Sequence, residues 1–451
     1  MMQTFESFID ILNDYLYSFL LTGTLVCCSI YFTVRSRCLQ LRMFGEMCHL
    51  LVHREPTPNR HHITPLQAFL VSLAGRVGTG NIAGVAIALT AGGPGAVVWM
   101  WVIALIASAT AFWEGTLAQL YKQQRERGFV GGPAYYMHYG LGRRHFSHIF
   151  ALMSTVSLGL VCNSVHSNTV CLAFEEGYGI QPPMMGILLS AAALIIFIGG
   201  LHRIVIVCSY IVPAMALGYV ALSLYVVFTH ITTLPDVLYQ MFAEAFGLQQ
   251  AIGGGIAAAF VQGVKRGLYS NEAGWGTAPN VAATASTSHP VKQGLIQTVG
   301  VFVDTLIICS CTAFIILLSE EPLTTGTNGI QLTQHALAAE VGQWSVSFVA
   351  FAVLLFAMST LLSNYYYGEN NLRYLTKSRR VRYAYLLVAT AMVMAGSLLS
   401  FGLIWSLADL VMALMTFMNL YALVRLTPRT LALLRHYQRQ RQQNGDPHFF
   451  N

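Results

Sequence analysis

Charge is scarce in these 451 residues: 10% are Asp, Glu, Lys or Arg, while 55% are apolar. A soluble domain carries about 25% charge, so a water-soluble globule of this size, and with it a soluble enzyme, is excluded. Basic residues are missing from the start of the chain, where Glu6, Asp10 and Asp14 precede the first apolar run. That is the reverse of a secretory leader, and no removed targeting segment is expected. The nine cysteines are odd in number and lie mostly inside apolar runs, with neither metal-site spacing nor a disulfide framework. They read as small packing residues. No HExxH or nucleophile-elbow motif occurs, which argues against an intramembrane enzyme. The net charge of +6 does not imply nucleic acid, because the basic residues form separated clusters rather than one face.

What is present is apolar chain. A spanning helix needs about 20 mostly apolar residues, since backbone groups in lipid must bond within the segment. Eleven stretches qualify, at about 17–34, 64–90, 95–119, 148–173, 183–200, 204–229, 251–284, 292–318, 345–368, 382–401 and 403–424. The expected fold class is therefore an all-α polytopic membrane protein. Of the 25 Lys and Arg residues, all but three fall in alternate connections or the C-terminal tail, in clusters at 35–60, 122–144, Arg203, Lys292, 373–382 and 425–441. The intervening loops carry Glu175, Glu176, Asp236, Glu244, Glu320 and Glu321 and no basic residue. By the positive-inside rule the N-terminus is outside and the C-terminus cytoplasmic. Segment 35–60 alternates basic and apolar residues and is expected along the inner membrane face, in contact with lipid. Stretches 236–246 and 331–339 read as short outer helices suited to a lid, and the Arg- and Gln-rich end reads as a solvated, disordered tail.

The three exceptions, Arg76, Lys265 and Arg266, mark two glycine-rich interrupted spans. One contains Arg76-Val-Gly-Thr-Gly-Asn81-Ile-Ala-Gly84, the other Arg266-Gly-Leu-Tyr-Ser-Asn271-Glu-Ala-Gly274. Both read R-x4-N-x-A-G, and five spans separate the starts of the two units, so the copies enter the membrane from opposite faces. Paired interrupted helices in inverted halves point to the binding site of a secondary transporter. Gly78 and Gly80 let the backbone unwind, freeing amide N–H groups at one half-helix and carbonyls at the other. The first attract a carboxylate and the second a small cation, so an amino acid is the natural guest. Glycines that merely permit tight helix packing would not require Arg76, Asn81, Lys265, Arg266, Asn271 and Glu272 at membrane depth, where polar groups are costly.

Three motifs resemble a known family. Gly92-Gly-Pro-Gly95-Ala-Val-Val-Trp99-Met-Trp101, together with Arg76-Val-Gly-Thr-Gly-Asn81 and Ser270-Asn-Glu-Ala-Gly274-Trp-Gly-Thr277, is similar to the hallmarks of the alanine or glycine:cation symporters, also called sodium:alanine symporters. The resemblance covers nearly the whole chain. It implies a LeuT-like fold of five plus five inverted helices with one extra N-terminal helix, in a bacterial inner membrane. It divides the chain into 1–63 (first span and inner-face segment), 64–230 (first repeat), 231–425 (outer helix and second repeat) and 426–451 (tail). The implied activity is uptake of a small neutral amino acid, of the alanine or glycine class, with sodium and without a cofactor. Proton coupling, or a non-transporting amino-acid sensor on the same scaffold, is the alternative.

Carried over by residue, the resemblance implies that Gly78, Thr79, Gly80 and Asn81 hold the substrate carboxylate, with Ser270, Asn271 and Gly274 near the amino group. It implies a sodium site of carbonyls near Ala74 and Val77 and the hydroxyls of Ser359 and Thr360, although two such hydroxyls also suit back-bonding to the preceding turn. Where the family usually has Gln in a Gln-x-Asn segment, this chain has His166. Asn163, His166 and Ser167 share one helical face, and His166 is a substrate contact or a histidine satisfied by a neighbouring helix. Tyr269, Trp275 and Phe356 flank the expected site as gates or as packing. Among the deep acids, Asp304 and Asp409 are expected to pair with Arg76, Lys265 or Arg266, or to relay a proton.

Overall fold

The computed structural model describes every residue except 1–15, 17–19, 53–62, 126–127, 249–254, 320–322, 324–328, 400, 444 and 450–451. The acids of the N-terminus, the start of the first span at Tyr17, and Arg54, Arg60, Arg127, Glu320 and Glu321 thus lie outside the described residues. Among the described residues, regular structure is helical apart from one short hairpin, in which Gln123–Arg125 pairs antiparallel with Gly128–Val130. Six helices of the described residues are long and apolar enough to cross a bilayer: Gly95–Leu120, Arg144–Tyr178, Gly200–Thr229, Pro290–Leu318, Trp344–Leu375 and Ser406–Gln442. The pair Pro65–Arg76 and Gly80–Gly92, bent by 50°, makes a seventh. Shorter helices, Thr22–Arg35, Pro182–Phe197, Gly255–Asn271 and Arg379–Gly396, occupy the other expected spans.

Polarity is inside out, as a lipid solvent requires. Tyr210, Leu217 and Phe228 are exposed, whereas Asn81, Asn163, Gln293 and Asp304 are buried. Helix ends follow from local chemistry. Thr64 and Gln67 form a reciprocal capping box, with Pro65 at the first helical position, which fixes the start of the first broken helix.

Small residues allow the helices to meet. A side chain at Gly263 would fall 2.3 Å from the Ala96 carbonyl oxygen, and one at Gly267 would fall 2.8 Å from Ile103. These two glycines, one turn apart, seat the second broken helix on Gly95–Leu120. The Gly-Gly-Pro-Gly segment works the same way: a Cβ at Gly95 would be 2.6 Å from the Ala245 backbone nitrogen. Beyond it, the Trp99 indole donates to the Ala245 carbonyl at 3.2 Å and the Trp101 indole to Ser310 at 2.7 Å. The motif is therefore a dock for the helix Leu234–Ala245. That helix and Ile330–Val341 are the two short helices expected near 236–246 and 331–339.

The C-terminal segment differs from its expected disorder. The last helix, Phe401–Gln442, continues through the Arg- and Gln-rich stretch. It persists because one face is apolar: Leu431, Leu433, Leu434 and Tyr437 are buried. Tyr437 also donates to Glu46 at 2.6 Å, and Arg441 pairs with the same carboxylate. The chain then folds back, where Asp446 pairs with Lys292 at 2.6 Å and the Phe449 amide donates to the Ser288 carbonyl at 2.8 Å. Hydrophobic periodicity in a short, charge-rich window did not reveal this face.

Replacing Gly263 by Ala forces a methyl group against a backbone carbonyl and should cost about 1–3 kcal/mol. Thermal unfolding in detergent should show a lower midpoint for Gly263→Ala, and none for Gly45→Ala, a helical position with open space around it.

Candidate functional site

Both interruptions are real, and they differ in form. The first broken helix stops at Arg76, passes through Val77, Gly78 and Thr79, and resumes as a π-helical turn, Gly80–Gly84. The second stops at Asn271 and does not resume as a long half-helix. Glu272, Gly274 and Gly276 take positive φ (54°, 91° and 82°), and only the short helix Pro279–Ala282 follows. Two more π-helical segments are close by: Phe302–Cys309 packs against both broken helices, and Ser157–Cys162 ends at Cys162, which lines the cavity between them. Such segments recur at functional sites because they open the backbone ladder without ending the helix.

The first break is held by glycines for reasons of space. A Cβ on Gly78 would sit 2.5 Å from the Thr360 hydroxyl, and one on Gly80 would sit 3.1 Å from the Tyr269 ring. Asn81 then caps the break, accepting the Gly78 amide at 2.8 Å on its side-chain oxygen. Its side-chain nitrogen donates to Asp304 at 2.6 Å. The other Asp304 oxygen accepts from Ser270, on the second broken helix, at 2.8 Å and from Thr305 at 2.9 Å. One fully buried carboxylate thus joins the two copies of the repeat. Asp304 makes no ion pair with Arg76, Lys265 or Arg266 among the described residues. Asp409 does pair as expected, 2.9 Å from Lys265 and 3.8 Å from Arg266.

The second break has a carboxylate of its own. Glu114, buried within Gly95–Leu120, accepts the amides of Gly274 at 3.2 Å and Gly276 at 2.8 Å, and the Asn419 side chain at 2.7 Å. This removes the Gly274 amide from any guest, and Gly274 does not line the cavity between the breaks. A lone Glu among small apolar residues was the available signal, but the sequence did not show which amides it meets.

That cavity is small, about 10 Å³, room for roughly one water. Gly78 and Gly80 of the first break line it, as do Tyr269, Glu272 and Trp275 of the second, with His166 between them. His166 lies 2.9 Å from the Thr79 hydroxyl through Nδ1 and 3.4 Å from the Asn364 side-chain nitrogen through Nε2. The cavity wall also carries polar atoms that are buried and lack a hydrogen-bond partner among the described residues: Arg76 Nε and Nη2, Glu272 Oε2, Trp275 Nε1 and Asn364 Oδ1. Arg76 spends one donor on the Gln297 carbonyl, at 3.0 Å. Such groups are costly when unsatisfied, and here donors and acceptors face one space. Of the three aromatic gate candidates, Tyr269 and Trp275 line the cavity with their rings edge to face at 5.3 Å. Phe356 is absent from the lining and packs against Tyr219, ring centres 5.7 Å apart.

Beside the first break lies a cluster of hard oxygens. The Thr360 hydroxyl is 2.9 Å from the Ala74 carbonyl, 3.0 Å from Phe356 and 3.4 Å from Val77. A hydroxyl has one proton and cannot serve three carbonyls at once. Ser359 is not part of the cluster in this conformation, because its hydroxyl bonds back to the Phe356 carbonyl at 2.9 Å. Ser363, one turn beyond, instead donates to Val71 at 2.9 Å. Of the expected set, Ala74, Val77 and Thr360 come together.

Comparison with known proteins agrees with this architecture. The model of the sodium:alanine symporter family matches residues 2–451. The chain is 48% identical to the probable sodium/glutamine symporter GlnT of Bacillus subtilis over 100% of this chain and 94% of that one. It is 44% identical to the amino-acid carrier protein AlsT of the same organism, covering 99% and 95%. A sodium/proton-dependent alanine carrier protein of Bacillus sp. PS3 is 32% identical, covering 86% and 91%. Among solved structures, MhsT in complex with L-phenylalanine superposes with a TM-score of 0.58 at 14% identity, over 84% of this chain and 93% of that one. A sodium-coupled sialic acid symporter superposes with a TM-score of 0.55 at 14% identity, over 91% and 86%.

Asp304→Asn places a second amide against two hydroxyl donors and Asn81, leaving buried donors unmatched. We expect at least a tenfold loss of transport by the purified variant in vesicles, with the same fold by circular dichroism. Gly78→Ala should fail likewise, because the Thr360 hydroxyl occupies the space that its methyl group needs.

Proposed function

The chain belongs to the sodium:alanine symporter family, a sodium-coupled amino-acid symporter and not an enzyme, and from that premise we propose its substrate class, its sites and its orientation. The substrate is a small neutral amino acid of the alanine or glycine class. The observation that carries this reading is the narrow cavity between the two breaks, whose unpartnered atoms include cationic donors on Arg76 and acceptors on Glu272 and Asn364. A zwitterion answers both signs once the breaks part to widen this water-sized cavity, its carboxylate toward Arg76 and the Gly78–Asn81 turn, its ammonium toward Glu272 and the Ser270–Asn271 end. A long side chain would have to displace Tyr269, Trp275 or Met412, so a small one is favoured. His166 stands where the side chain or carboxylate of the guest would lie. Alternatives from the sequence, a proton-coupled carrier and a sensor, are not favoured by the relatives.

Sodium would occupy the oxygen cluster of Ala74, Val77 and Thr360, with Ser359 joining by rotation from its back-bond. Neutral hard oxygens suit that ion. One positive charge moving inward through ~100 mV supplies about 2.3 kcal/mol, and a tenfold sodium gradient adds about 1.4 kcal/mol. A single ion thus sustains accumulation of a neutral solute by several hundredfold. Because the ion's ligands and the carboxylate's turn are consecutive residues of one break, occupancy of either stabilises the unwound backbone that the other needs. We further assign the N-terminus to the outside and the C-terminus to the cytoplasm of a bacterial inner membrane, on the distribution of basic residues.

Radiolabelled uptake in proteoliposomes, with sodium and proton gradients imposed separately, tests the central reading: uptake should follow the sodium gradient, and alanine or glycine should outcompete phenylalanine. Uptake driven only by protons would overturn it. Thr360→Val should raise the half-saturating sodium concentration at least tenfold, and Ser359→Ala by less. His166→Gln should alter the order of competing amino acids; unchanged affinity, selectivity and pH dependence would remove His166 from the site.

A further inference from the structure

Outside the proposed transport site, four arginines gather where the first and last helices meet. The helix Thr22–Arg35 ends in a turn through Ser36, Arg37 and Cys38, whose last two residues hold left-handed backbone angles, φ 57° and 52°. Neither is glycine, so the turn is strained and kept by its surroundings. It feeds the short helices Leu39–Arg42 and Phe44–Val52, and the late part of Phe401–Gln442 runs alongside. Between these elements lies a cavity of about 360 Å³, lined by Arg35, Arg37, Arg42 and Arg435 over a base of Leu431 and Leu434.

Four guanidinium groups thus border one space, and no carboxylate is among its lining residues. Glu46, on the neighbouring helix, is occupied by Arg441 and Tyr437. Arg42 makes one long contact, 3.4 Å to the Ser36 carbonyl, and Arg35 stands 5.8 Å from the Tyr31 ring. Like charges gathered this way repel unless an anion joins them. Apolar side chains lie on the outward side of the same elements: Val34 is 66% exposed and Leu41 65%. A soluble anion would use the guanidiniums and leave these side chains idle, whereas a phospholipid uses both.

We propose that this cavity is a binding site for the phosphate headgroup of an anionic phospholipid. Planar guanidinium groups pair with phosphate oxygens through two parallel hydrogen bonds. The acyl chains extend along Val34 and Leu41, and basic pockets at helix ends suit such headgroups. The lipid ties the helix before the first repeat to the last helix of the second, two elements distant in sequence. The site rests on the membrane reading above, not on the identity of the transported amino acid.

The test uses the full chain purified in a neutral detergent. Phosphatidylglycerol, phosphatidylcholine, glycerophosphate and inorganic phosphate are added separately at matched concentrations, and the unfolding midpoint and the lipid retained in native mass spectra are read. Phosphatidylglycerol alone should raise the midpoint and remain bound. Its apparent affinity should fall at least tenfold in Arg37→Gln/Arg435→Gln and hold in Arg379→Gln/Arg380→Gln, which removes equal charge elsewhere. Arg37→Lys/Arg435→Lys, which keeps the charge but not the paired geometry, gives an intermediate loss and serves if the glutamine pair fails to fold. Equal binding of phosphatidylglycerol by all four proteins overturns the proposal. An equal shift from glycerophosphate or inorganic phosphate overturns it in favour of a soluble anion. Sodium-driven uptake, measured in parallel, reports on the transport reading separately.

Discussion

Unwound peptide at membrane depth must find hydrogen-bond partners within the protein, and the structure is organised around that requirement. In lipid no water completes a broken helix, so each break needs side chains to take its free amides. Asn81 takes the Gly78 amide at the first break, and Glu114 takes the Gly274 and Gly276 amides at the second. Asp304 then receives Asn81 and Ser270 together. Asn81 and Glu114 thus satisfy the two costly defects separately, and Asp304 ties the two broken helices together.

The same arrangement explains where charge appears in a chain that has so little of it. Asp409 faces Lys265 and Arg266 at the second broken helix and holds the last helix against it. Glu46 gathers Tyr437 and Arg441, and Lys292 meets Asp446, at the opposite extremity of the bundle. At the cavity wall Arg76 keeps two donor nitrogens without a partner among the described residues, beside the Trp275 indole nitrogen. A charge is tolerated in such an interior only when paired or used, and the proposed guest would answer the free atoms of both Arg76 and Glu272.

Coupling follows from adjacency. Ala74 and Val77 belong to the oxygen cluster, Gly78 and Gly80 to the cavity wall, and Thr360 touches both through its hydroxyl and its contact with Gly78. In the proposed assignment, reshaping the turn for one ligand therefore reshapes it for the other. The two glycine–helix contacts at Gly263 and Gly267 seat the second broken helix closely against Gly95–Leu120.

Much of this was legible in the order of residues. Low charge and long apolar runs determine a membrane solvent, and the Arg–Asn repeat at glycine-rich points marks two breaks, because each of these is a local or periodic property. The partners of isolated polar residues were not legible: that Glu114 would cap the second break, that Asp304 would bridge both, that Ser359 would bond back while Thr360 faced Ala74, and that the charged C-terminal stretch would stay helical on a buried face. Those facts depend on which helices lie side by side and at what rotation. A buried carboxylate finds its donors among residues hundreds of positions away, and only the tertiary packing brings them within reach.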